Sequence, residues 1–200
     1  MSGAALRLDD VACLRGGRML FRGITLTLAP GGSALLTGPN GVGKSSLLRI
    51  CAGLLPVFAG TMTREGGVAL ADERLALDME LPLAKALDFW AKIDRAKDSA
   101  VDDALGAMAL RPIADVPVRM LSTGQRKRAM LARVIASGAG IWLLDEPGNG
   151  LDSASLALLG GAVAAHLAGG GIVVAASHQP LPLAAPVMLE LTDHQAVEAA

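Results

Sequence analysis

Tyrosine is absent from this 200-residue chain, and aromatic residues make up only 2% of it. The core must therefore be aliphatic, built from Leu, Val, Ile, Ala and Met. Cysteine is nearly absent too. Cys13 and Cys51 are far apart, without CxxC spacing and among apolar neighbours. They read as buried free thiols of a reducing compartment, not as a disulfide or metal framework. Basic residues are missing from the last third: all 18 Lys and Arg lie at or before Arg133. Thirteen acidic residues accompany them, a net +5, and the remaining six leave the tail at −6. A basic front part suggests an anionic ligand, but scattered charges do not point to nucleic acid. The start, MSGAALRLDD, has no apolar h-region, so no secretory signal is expected. Charged residues are only 18% against 52% hydrophobic, which excludes a disordered chain.

One apolar run is long enough to suggest a membrane span. Ala154 to Ala176 is 23 residues with a single ionisable one, His166. Five glycines interrupt it, and neither flank carries the Lys or Arg usual beside spans. A buried helix over about 153–168, a Gly turn and a buried strand over about 172–177 are expected instead.

LRLDDVACL and GITLTL read as strands, SALLTG as a short buried strand, and GKSSLLRICAGLL as a helix stopping at Pro56. GTMTREGGVAL reads as strand–turn–strand. PLAKALDFWAKID and SAVDDALGAMAL carry apolar residues at helical spacing, the second with Ser99 as N-cap and Asp102 in the capping-box position. STGQRKRAMLARVIAS is a helix from about Ser122, followed by strand GIWLLDEP, helix DSASLALLGGAVAAHL, strand GIVVAAS and a last strand with a short tail. Alternating helices and continuously apolar strands predict a mostly parallel sheet covered on both faces, an α/β fold. The purely helical stretch of about 75–130 predicts a helical lobe inserted into a single domain spanning 1–200.

After SALLTG comes TGPNGVGKSS, which holds Gly38-x-x-x-x-Gly43-Lys44-Ser45 between a strand and a helix. That is the context the P-loop pattern requires. Glycines let successive N–H groups converge on phosphate oxygens, and the helix N-terminus adds its positive end. Gly38, Pro39, Asn40, Gly41, Val42, Gly43, Lys44, Ser45 and Ser46 are the expected ATP-binding residues. Lys44 reaches the β- and γ-phosphates, and the Ser45 hydroxyl ligates Mg²⁺.

IWLLDEP puts Asp145 and Glu146 at the carboxyl end of an apolar strand, where ligands of α/β sheets bind. Asp145 is expected to hold Mg²⁺ through water, and Glu146 to act as general base on the attacking water. His178, after the next apolar strand, is placed to contact the γ-phosphate and keep that water in line. His166 and His194 lack such a setting.

About twenty residues before LLDEP stands LSTGQRKRAMLAR. Here the chain resembles the ATP-binding cassette (ABC) family, whose signature is LSGGQ. Leu121, Ser122, Gly124 and Gln125 match, with Thr123 in place of a Gly, and Leu151-Asp152 of GNGLD matches the D-loop. The resemblance runs from about residue 5 to 190. It implies a P-loop cassette with an N-terminal antiparallel β-subdomain beside the core sheet. It also implies an ATPase in which two cassettes pack head to tail. Ser122, Thr123, Gly124, Gln125 and Asp152 would then contact the nucleotide of a second cassette, expected to be another copy of this chain. LLTGPNGVGKSSLLRICAGLLPVFAGTM, IWLLDEP and RGGRMLF look more narrowly like the ATP-binding subunits of haem-exporter-type complexes of cytochrome c maturation. An integral membrane subunit docking on the helical lobe, and a peripheral place on the cytoplasmic face of the bacterial inner membrane, are implied.

The chain departs from the family at two places. No Gln occurs between Leu36 and Gly124, where cassettes carry one that ligates Mg²⁺ and senses the membrane partner. Asp72 and Glu73 lie roughly there. The aromatic that stacks on adenine is also missing, which leaves Arg15 or Arg18 as a planar cation for that task. Two rival readings remain. A soluble cassette ATPase of ribosomes or DNA is expected to have two cassettes or coiled-coil insertions. A small-metabolite P-loop kinase leaves LSTGQ unexplained.

Overall fold

A computed structural model describes residues 3–72 and 74–195. Its strands form two sheets. The first is antiparallel, in the order β2-β1-β4, from β1 (Ala5–Arg15), β2 (Arg18–Leu28) and β4 (Ala59–Glu65). The second has five parallel strands in the order β5-β6-β7-β3-β8: β3 (Ser33–Thr37), β5 (Val68–Ala71), β6 (Ile141–Asp145), β7 (Ile172–Ala176) and β8 (Val187–Glu190). This is the α/β cassette expected from the sequence.

The parallel strands are continuously apolar because both faces are covered. In β6, Trp142 and Leu144 enter one core, shared with α2 (Leu83–Ile93), α3 (Ala100–Ala107), α4 (Thr123–Ala136) and α5 (Ser153–Ala168). Ile141 and Leu143 enter the other, shared with the antiparallel sheet and with α1 (Lys44–Ala52). Leu47, Leu48 and Ile50 of α1 are fully buried there. Helix α1 is thus clamped between the sheets, and the loop that starts it is held from both sides. Between β5 and β6 lie α2, α3 and α4, with α2 and α3 packed on α4. Among the described residues no helix is long and apolar enough to cross a membrane. The 154–176 run is α5 and β7.

Two local expectations need correction. Ser99 caps nothing: it is helical itself (φ −79°, ψ −8°), and its hydroxyl donates to Asp103 Oδ2 at 3.1 Å. Asp102 is drawn instead into two bonds from Arg111, at 2.9 and 2.8 Å. Two bonds from a guanidinium outcompete the single bond that the Ser99 N–H could offer. Helix α1 ends before Pro56, where Gly53 turns left-handed (φ 75°) and the N–H groups of Gly53 and Leu54 bond Ile50 and Arg49. GTMTREGGVAL is strand–turn–strand as expected, with β4 and β5 entering different sheets.

At the amino edge of the parallel sheet, His166 of α5 stacks on Trp142 of β6, rings 3.9 Å apart and 8° from parallel. A Cβ at Gly171 would run into the imidazole, so a glycine is needed there. Burial holds the His166 pKa below its ordinary value. A depressed histidine leaves stability intact above about pH 6.5, and stability falls as pH drops from there toward the folded value. His166→Phe keeps a stacked ring and removes the titration. Its Tm should fall less than that of the parent between pH 7 and 5. Equal falls in thermal melts would locate the acid sensitivity elsewhere.

Candidate nucleotide-binding site

The loop from Gly38 to Gly43 leaves β3 and opens α1. Gly38 (φ 125°) and Gly43 (φ 117°) hold backbone angles that side chains rarely allow. A Cβ on Gly43 would stand 2.8 Å from the Phe21 ring, so the loop rests directly on β2. Gly43 is the N-cap of α1, no side chain caps the helix, and no acidic residue occupies the first turn. The N–H groups there stay available to an anion.

A cavity of about 310 Å³ opens over this loop. Asn40, Gly41, Gly43, Lys44, Ser45 and Ser46 line it together with Asp145 and Glu146 from the end of β6. Pro39 adds a carbonyl under Lys44, and Val42 is buried beneath the loop. Lys44 is 7% exposed and Asp145 8%. The Lys44 ammonium donates to Gly38 O at 2.6 Å and Pro39 O at 3.2 Å. It also lies 3.2 Å from His178 Nε2.

The imidazole of His178 is a hub. Its Nε2 lies 2.6 Å from Asn40 Oδ1 and 3.3 Å from Glu146 Oε1. Nε2 donates to Asn40 in the Nε2–H tautomer and accepts from the Lys44 ammonium in the Nδ1–H tautomer. The His178 N–H points to Glu146 Oε2 at 3.5 Å. Glu146 holds a left-handed backbone (φ 47°), and its N–H donates to Ala176 O at 2.9 Å. Strained backbone at a half-buried carboxylate is a mark of functional sites.

The arrangement can bind a polyphosphate and present a carboxylate to a nucleophile beside it. It also has the donors for Mg²⁺. The buried Asp145 lines the cavity together with Ser45. Among the described residues there is no cluster of three His, Cys, Asp or Glu that would cage a metal. Mg²⁺ on one carboxylate, a hydroxyl and phosphate oxygens needs no such cage.

The remaining expected residues lie elsewhere. Ser122 caps α4 in a capping box: its Oγ accepts from Gln125 N at 3.3 Å, and Gln125 Oε1 accepts from Ser122 N at 2.8 Å. Thr123 is exposed, and a Cβ on Gly124 would meet nothing within 4 Å. None of the four lines the phosphate-loop cavity. Asp152 caps α5, accepting from Ser155 N at 2.8 Å, and these bonds to Ser155 hold its carboxyl below the usual carboxylate range. Asp72 follows β5, but its carboxylate pairs with Arg49 at 3.7 Å and lines a separate cavity, away from the phosphate loop. Glu73 lies outside the described residues.

Of the two candidate base-stacking cations, Arg15 lines the cavity mouth with Leu20, and Arg18 does not. Leu20 escaped sequence reasoning because an aliphatic residue in an alternating strand gives no binding signal. Glu190 escaped it too. It accepts from Thr37 Oγ1 at 2.7 Å and from the Thr192 hydroxyl, behind Gly38. Those hydroxyl bonds keep its carboxyl ionised below the usual range.

Comparison with known proteins agrees with this geometry. The family model for ABC transporters matches residues 21–149. The chain belongs to the ABC transporter family. It is an ATP-hydrolysing cassette subunit of that family, as its signature stretch led one to expect. Two relatives are each 56% identical, one from Sphingopyxis alaskensis and one from Novosphingobium aromaticivorans. They cover 93% and 92% of this chain and 95% and 93% of their own. Both are named cytochrome c biogenesis ATP-binding export protein CcmA. Among solved structures, an ATP-binding protein of Pyrococcus furiosus superposes with TM-score 0.84 at 22% identity, covering 96% of this chain and all of its own. An ATP-binding subunit of an ABC transporter superposes with TM-score 0.79 at 20% identity, over 87% and 80%. Both share the cassette fold.

Proposed function

We propose that this chain is the ATPase subunit of a membrane complex of bacterial cytochrome c biogenesis, of the haem-exporter type. The observation that carries this is the 56% identity, over nearly the whole length, to relatives of that name. The site is consistent with the chemistry. ATP lies over the phosphate loop, its phosphates on the loop N–H groups and Lys44, its base toward Arg15 and Leu20. Ser45 and Asp145 would hold Mg²⁺, which when bound neutralises charge on the phosphate oxygens. Glu146 takes the proton of the attacking water as general base, and His178 holds Glu146 and the γ-phosphate in register.

A second copy, packed head to tail, brings Ser122, Gly124 and their neighbours, with Asp152, to the nucleotide. The capped helix suits this role. The Ser122 hydroxyl hydrogen and the first N–H groups of α4 are not consumed by the cap. ATP joins the two cassettes, hydrolysis releases them, and the movement is passed to an integral membrane subunit, CcmB-like, docked on the helical segment. Met79, Phe89, Ile93 and Met120, all exposed there, supply apolar surface for that contact. The chain then sits peripherally on the cytoplasmic face of the inner membrane. The Asp72–Arg49 pair keeps Asp72 away from the phosphates, so Asp72 does not take over the metal-sensing task of the missing Gln.

Glu146→Gln should slow hydrolysis about a hundredfold or more while ATP binding persists. Unchanged turnover removes Glu146 as the base. Ser122→Arg should abolish hydrolysis and leave nucleotide binding at Lys44 intact. If binding is lost as well, the loop serves its own site and the head-to-tail arrangement is wrong. Affinity purification from membranes should bring down an integral subunit, and cytochrome c maturation should stall without this chain. Recovery of a different transport partner would assign it to another ABC transporter. Recovery of none would favour a soluble cassette.

A further inference from the structure

Glu146 stands in a conformation its sequence opposes. The residue before a proline favours extended backbone, and Pro147 follows, yet φ at Glu146 is 47°. A side-chain-bearing residue stays in that region only when its surroundings hold it there. The holding groups are identifiable. The Glu146 N–H is tied to Ala176 O at the end of β7, 2.9 Å away. Its carbonyl accepts two bonds, from Asn149 N at 3.2 Å and from the Lys127 ammonium at 2.8 Å. The first comes from the turn that Glu146 itself begins. The second comes from a different element, helix α4, and it is charge-assisted and partly buried, so it is the stronger tether.

The geometry assigns Lys127 as a positioning residue for hydrolysis: it fixes the left-handed backbone of Glu146 and so aims the carboxylate, touching no phosphate itself. The assignment rests on the reading of Glu146 as the base. Lys127 lies two residues beyond Gln125, on the helix whose first turn carries Ser122 and Gly124. In a head-to-tail pair, the helix that meets the partner's nucleotide is therefore the one that sets the base of its own site. Lys127 is absent from the cavity lining, which separates its role from those of Lys44 and Arg15.

The test uses the full chain as Lys127→Met, Lys127→Arg, Glu146→Gln and the Lys127→Met/Glu146→Gln double variant. Loss of a charge-assisted bond should lower kcat of Lys127→Met roughly ten- to a hundredfold. KM and direct ATP affinity should stay within about twofold, because the phosphate loop is untouched. Lys127→Arg should regain much of the rate, since a guanidinium can still donate to the carbonyl. In the Glu146→Gln background the Met change should add nothing to the single-turnover rate, because a group acting through the base has no effect without it. The proposal is overturned if Lys127→Met keeps its kcat, if ATP affinity falls as far as kcat does, or if the Met change slows Glu146→Gln further. The Glu146→Gln single variant, read alone, reports whether Glu146 is the base, so failure of that reading is seen separately.

Discussion

Strands β6, β7 and β3 are hydrogen-bonded neighbours that run in one direction and stop at one edge. The site depends on that constraint. Asp145 and Glu146 leave β6, His178 follows β7, and the phosphate loop leaves β3. Parallel pairing fixes their spacing before any side chain contributes. The bond from Glu146 N to Ala176 O continues the ladder one step beyond the strands and locks two of the three ends together.

Polar groups gather at this edge because the rest of the sheet excludes them. The strands are buried on both faces, so Lys44, Asp145 and Ser46 are among the few buried polar side chains in the described structure. Each must be satisfied by the loop, by a neighbour or by a ligand. Lys44 bonds loop carbonyls, and His178 links Asn40 to Glu146. The antiparallel sheet completes the support from below, through Phe21 against Gly43.

The signature helix gains a second meaning from its surroundings. Alone, LSTGQ is a sound capping box, and the structure forms one. The same helix sends Lys127 to the backbone of the residue read as base, and Arg128 to the carbonyls of Met108 and Ala109 beyond α3. One rigid element thus touches the exposed signature, the strained turn and the helical segment.

Much of this was written in the chain. Continuous apolar strands, the Gly38-to-Ser45 spacing and LSTGQ identify fold, phosphate loop and family, because each rests on local chemistry that residue type dictates. What the sequence could not decide were contacts between segments far apart in it. Asp102 went to Arg111 instead of capping α3, since a bidentate partner nine residues on was stronger than a local bond. Asp72 stood in the expected region but paired with Arg49 of α1. Arg15 and not Arg18 lines the cavity, although the two are register partners across β1 and β2, so alternation along the strands could not have chosen between them. Lys127 looked like any solvated charge of a basic helix until α4 packed beside the end of β6. Residue type sets which groups can do phosphate chemistry, whereas packing sets which of them meet, because side chains distant in sequence share a neighbourhood only once the sheet brings their elements together.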